Sequence, residues 1–152
     1  MITLNNINNI FEDIADNHLQ VHEFFIGQDY DIAASKKMNH VLLVINPSGA
    51  VLPKTDNGYT TNTIDYNLKV VDLVSKDLSN QQEVLSDTHS IIKDVVIMLN
   101  QNPDFHEMSL NIIGDVNLNP LDGVFDTDVT GWETTLTIET PLALSYCKTP
   151  IT

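Results

Sequence analysis

The chain contains no arginine. Its cations are seven lysines, set against 21 aspartates and glutamates, for a formal charge of −14. Binding to a nucleic-acid backbone depends on cationic contacts, so this balance argues against direct DNA or RNA binding. Without guanidinium groups there is no bidentate grip on phosphate or carboxylate, which argues against nucleotide chemistry. Cysteine is nearly missing too. Cys147 stands alone, so no internal disulfide forms and an oxidising compartment is neither needed nor indicated. No stretch approaches the ~18 uninterrupted apolar residues of a membrane span. The opening residues, MITLNNINNIFEDIADN, lack the basic start and apolar run of a signal peptide. A soluble protein made in the cytoplasm, with no membrane partner, is expected.

What is present is a folding composition. The 152 residues are 42% hydrophobic, enough for one domain, 1–152, with a real core. Leu4, Ile7, Phe11, Ile14 and His18 recur at steps of three and four, a helical stripe that Ile10 widens and Thr3 caps. After Phe24-Phe25-Ile26-Gly27, the polar residues 28–38 read as an extended connection. His40 to Ile45 is a short apolar, β-branched run expected to be a buried strand stopped by Asn46-Pro47. Ser48-Gly49 reads as a turn, and Asp56-Asn57-Gly58 is a hairpin signal.

From Tyr59, the apolar Ile64, Tyr66, Leu68 and Val70 alternate with Asp65, Asn67 and Lys69, the period of a half-buried strand. At Val70-Val71 the phase slips, which implies a bulge or a bend where the second face is also covered. Ser79-Asn80 before Gln82-Glu83 resembles a capping box. Behind it, Val84, Thr88, Ile91, Ile92, Val95 and Leu99 mark a long helix. Leu110 to Leu118 alternates as a strand, 119–128 is an acidic loop, and Trp132 to Glu139 is the last strand, ended by Pro141. The expected fold is α+β, a mostly antiparallel sheet with two amphipathic helices on one face.

The candidates for chemistry are few. His18 and His22 lie four apart at a helix end, but a third ligand is missing and HExxH is absent, so a half-buried histidine is the expectation. In DVNLNPLDGVFD, Asp115, Asn117, Asn119 and Asp126 occupy ligand positions of a calcium loop. Pro120 stands where that loop needs glycine, and the flanks are not both helical, so strand alternation is the preferred explanation. Asp122, Asp126 and Asp128 are expected to be solvated rather than to hold a cation. Cys147 has no nucleophile turn around it and reads as a small buried hydrophobe. Catalytic, cofactor and metal sites are therefore expected to be none.

The pattern of the chain from about residue 39 onward resembles small neck and tail proteins of tailed bacteriophages, particularly the crAss-like and related phages. The likeness is carried by YTTNTIDYNLKVVDLV, by NQQEVLSDTHSIIKDVVIML, and by DVTGWETTLTIETPLALSYCKTP, where Gly131-Trp132 opens the last strand and Cys147-Lys148-Thr149-Pro150 follows. It implies a fold like that of tail-terminator or head-tail joining proteins, assembly into a homo-oligomeric ring with neighbouring virion proteins, a place in the virion, and no enzymatic activity. Residues 28–38 and 119–128 do not match it.

An acidic ring lumen is consistent with that role, because it lets a DNA duplex slide without sticking. A second reading is an acidic DNA mimic that occupies the site of a host DNA-binding enzyme. Net charge favours it, while the scatter of the carboxylates among Asn and Thr does not. A third, a small hydrolase using Cys147, has histidines elsewhere in the chain but no nucleophile turn around the cysteine.

Overall fold

The computed structural model describes residues 2–27, 41–74, 79–121 and 129–142. Helix α1 (Leu4–Asn17) leads, followed by strands β1 (Glu23–Ile26), β2 (Leu42–Val51), β3 (Lys54–Thr55), β4 (Gly58–Tyr59) and β5 (Thr61–Leu73). Helices α2 (Gln81–Gln101) and α3 (Pro103–Glu107) come next, then β6 (Asn111–Ile113), β7 (Asn119–Leu121) and β8 (Val129–Pro141). The architecture is α+β.

The main sheet runs β1-β2-β5-β8-β6, with β7 on the same side of β8 as a separate short partner. It is mixed: β1 lies parallel to β2, and the other pairs are antiparallel. Its centre is the β5–β8 pair, in unbroken register from Thr61 opposite Pro141 to Leu73 opposite Val129. The small β3–β4 pair forms a sheet of its own.

Side-chain alternation makes two faces. Leu43, Ile45, Ile64, Tyr66, Leu68, Val70, Leu136 and Ile138 point to one, where they share a buried core with helical Ile7, Ile10, Phe11, Ile14, Ile91, Ile92, Val95, Leu99 and Phe105. All three described helices thus contribute to one sheet face. Each such aliphatic or aromatic side chain contributes roughly 1.5–3 kcal/mol by leaving water. The other face is polar along much of β5 and β8. At one end it carries a second apolar cluster of Leu42, Val44, Val71 and Leu121.

The helices form where periodicity and capping agree. Thr3 accepts the Asn6 amide while the Asn6 side chain accepts the Thr3 amide, a reciprocal cap. The stripe expected for α2 is the set it buries.

Several expectations are corrected. Among the described residues there are three helices, since Asn102 caps a further turn by accepting from the Asp104 and Phe105 amides. Asn80 is the N-cap of α2 without a side-chain cap bond, so a box closed by Asn80 does not form. β2 does not stop at Asn46-Pro47: a bulge between Pro47 and Gly49 absorbs the proline, and pairing resumes to Val51 opposite Thr63. The strand expected over Leu110 to Leu118 is only β6, because Gly114 turns with φ of 77°. Leu4, assigned to the stripe of α1, is 44% exposed. β1, read as no element, pairs with β2. At Val70-Val71 the register holds, and the phase slip reflects burial of the second face at Val71.

Candidate functional site

Two surface features stand out, and they lie at opposite ends of the sheet. The first is a hairpin tip. β8 accompanies β5 only as far as Thr61, and the Leu142 amide donates to the Thr60 carbonyl at 3.1 Å. Leu52 to Tyr59 extend past that point. The turn at Asp56-Asn57 closes because Gly58 adopts φ of 88°, where L residues are strained, and because the Thr55 hydroxyl donates to the Gly58 carbonyl at 2.9 Å. The tip is apolar despite its exposure: Val51, Leu52 and Tyr59 are 57%, 55% and 52% exposed. Lys54 pairs directly with Tyr59, so the ammonium and the phenol share one face of the tip.

The second feature is a cleft of about 400 Å³ between the first half of α2 and the β7–β8 pair, lined by Gln82, Leu85, Ser86, His89, Pro120 and Trp132. Trp132 organises it. Its indole Nε1–H donates to the Leu85 carbonyl at 2.8 Å, and its ring lies 4.7 Å from that of His89, tilted by 56°. Pro120 stands opposite Trp132 in the β7–β8 ladder. Glu83 and Asp87 are exposed on α2, and each follows a lining residue, which turns it about 100° around the helix from Gln82 and Ser86. Trp132 faces Val70 near the far end of β5, whereas the tip follows Pro141. Nine residues of strand, roughly 30 Å, separate the two.

The histidines are placed apart in role. The Gln20 amide donates to His18 Nδ1 at 3.1 Å, which puts the proton on Nε2, and Nε2 lies 3.1 Å from Asp94 Oδ2. Both ring nitrogens of this half-buried residue are engaged, so His18 fastens the end of α1 to α2. His22 is exposed and lines a 180 Å³ recess with Asp16 and Glu23. Among the described residues, no three His, Cys, Asp or Glu side chains gather as a metal site.

Asp115 and Asn117 lie in irregular chain and are exposed, or nearly so, while Asn119 begins β7. Strand alternation therefore does not account for their spacing. Asp122, Asp126, Asp128 and Cys147 to Pro150 lie outside the described residues. Gly131-Trp132 sits inside β8, which begins at Val129.

Sequence reasoning missed the burial of Lys69. It lies on the sheet face away from the helices with Nζ 3.9 Å from Glu133, its direct cross-strand partner, and donates to Asn67. The available signal was the phase slip at Val70-Val71, which marks that face as covered nearby. A scan against protein-family models finds no match to this chain, and a search of curated proteins finds none either.

Proposed function

We propose that this chain is a ring-forming structural subunit of the neck or tail of a tailed-phage virion, of the tail-terminator or head-tail joining type, acting without catalysis. Its partners are its own copies and the neighbouring neck or tail proteins. The observation that carries this reading is the hairpin tip, which holds Val51, Leu52 and Tyr59 in solvent. Exposed apolar side chains at the end of a projecting element serve contact with another surface. A closed ring needs heterologous contacts, in which two different patches of one subunit meet. The formal charge of −14 suits a lumen through which DNA slides. Among the described residues no helix is long and apolar enough to cross a membrane.

The acidic DNA-mimic reading draws on the same charge. Against it, several carboxylates are occupied within the fold: Asp65 accepts from the Thr137 hydroxyl at 2.7 Å, Glu133 faces Lys69 and Asp94 faces His18. The test is made on purified particles. Mass spectrometry and electron microscopy should find this chain in a closed ring at the neck or tail. Its absence from the particle, or its presence only as isolated copies, overturns the proposal.

A further inference from the structure

We infer that Asn57 is a site of self-deamidation: the Gly58 backbone nitrogen attacks the Asn57 side-chain amide, and the hairpin tip ages into a form carrying a new carboxylate. The chemistry stands apart from the ring reading, while its effect on assembly rests on that reading.

Of the sixteen asparagines in the chain, Asn57 alone is followed by glycine. The following residue matters because its amide nitrogen is the nucleophile, and a Cβ on it would crowd the approach. Gly58 has no such atom, and the space a Cβ would occupy holds nothing within 4 Å. Asn57 is exposed, and its side-chain amide makes no hydrogen bond among the described residues.

Ring closure requires the Asn57 backbone to rotate out of the turn, so local restraint governs the rate. That restraint is slight. β3 and β4 form a sheet of their own with two register pairs, Lys54 with Tyr59 and Thr55 with Gly58. Two-stranded ladders are marginal in water, and weakly restrained tips open at little cost. The Thr55 hydroxyl donates to the Gly58 carbonyl at 2.9 Å and accepts from the Asn57 amide at 3.3 Å, and both bonds are exposed.

The steps balance without oxidant or reductant. Hydroxide takes the Gly58 amide proton, and the nitrogen bonds to Asn57 Cγ. The side-chain nitrogen gains a proton and leaves as ammonia, closing a five-membered imide. One water then opens that ring. Cleavage between Cγ and nitrogen leaves aspartate in a normal backbone. Cleavage between the backbone carbonyl carbon and nitrogen leaves isoaspartate, whose main chain runs through Cβ and Cγ. Either product adds one negative charge beside Asp56. Isoaspartate also lengthens the turn by one carbon, which disturbs the pairing of Lys54 with Tyr59. Both changes fall on the tip that holds Val51, Leu52 and Tyr59 in solvent.

The test incubates the full-length folded chain, the same chain in urea, and folded Asn57→Gln in mildly alkaline buffer. Trypsin cuts after Lys54 and Lys69, and the peptide between carries Asn57, Asn62 and Asn67 together. That peptide should gain about 1 Da at position 57, the exchange of an amino group for a hydroxyl. It should split into two species of equal mass, aspartate and isoaspartate, while Asn62 and Asn67 stay intact. The folded chain should convert within roughly tenfold of the rate in urea, as for a tip that opens readily. Asn57→Gln keeps the amide but needs a six-membered ring, and should stay unconverted over the same period.

An Asn57 that stays intact in the folded chain while converting in urea overturns the inference, because the hairpin then protects it. Equal conversion of Asn57, Asn62 and Asn67 overturns the role of Gly58. Assembly is read separately: chain from purified virions should be less converted than free chain of the same age, because a seated tip is shielded from water. Equal conversion in both leaves the modification standing and removes the tip from the ring contact. Absence of the chain from virions leaves the modification standing while the ring reading fails.

Discussion

The indole of Trp132 donates to the carbonyl of Leu85 at 2.8 Å, across 47 positions of sequence. That bond ties the last strand to the first half of α2 and holds one wall of the cleft. The same carbonyl also accepts from the Thr88 hydroxyl at 3.3 Å. Trp132→Phe keeps an aromatic ring on the sheet and removes the donor. Such a bond contributes about 1 kcal/mol net, and the variant should lose that much stability. Urea denaturation followed by circular dichroism measures the loss, since the only tryptophan is the residue replaced. An unchanged midpoint would show that the bond adds nothing beyond packing.

Tyr66 is fully buried under α1, its ring 5.6 Å from Phe11 and its hydroxyl 3.2 Å from Asn8 Oδ1. Burial disfavours the phenolate and pushes the pKa up from 10.0 to about 12. The unfolded chain therefore gives up this proton before the folded one does. Stability from this group is complete below pH 10, falls as the unfolded state ionises, and is lost by the folded pKa near 12. The loss amounts to about 2–3 kcal/mol at most. Denaturation midpoints of the protein and of Tyr66→Phe, compared between pH 9 and pH 12, should diverge: Tyr66→Phe lacks this component of the alkaline decline. Parallel declines would remove Tyr66 as its cause.

Gly131 meets β5 where no side chain fits. A Cβ there would lie 1.9 Å from the Val70 carbonyl oxygen and 2.9 Å from Val71 Cα, both backbone atoms that cannot swing aside. Gly131→Ala must force the β5–β8 pair apart. The expected cost is about 3 kcal/mol, the upper end for overpacking, with the thermal midpoint falling accordingly. Near-native stability would mean that the two strands separate locally without loss.

Much of the fold was legible because it is written in local periodicity. The stripe of α2, the alternation of β5 and β8 and the Asp56-Asn57-Gly58 turn each depend on neighbours within a few residues. β1 was not legible, because three half-buried residues and the exposed Ile26 in a parallel edge pair show no alternation to detect. β2 continues past Asn46-Pro47, a pair that ordinarily stops a strand. In the fold, Pro47 sits on the side of β2 that β1 does not reach, at a bulge that accommodates its missing amide.

The candidate site divides along the same line. From the sequence alone, the turn residues mark a hairpin at 56–58, and Trp132 marks a strand. Composition also determines that any self-contact must contend with a large negative charge. Only the tertiary structure decided that the hairpin carries its apolar residues beyond the end of β8, and that Trp132 reaches α2 to wall a cleft with His89 and Pro120. The physical reason is that periodicity specifies which face of an element is buried, while the partner on that face is chosen by packing and pairing among residues far apart in the chain. Gly131 shows the difference most plainly: as a residue it reads as a flexible point in a strand, and only the approach of the β5 backbone makes its missing side chain a requirement.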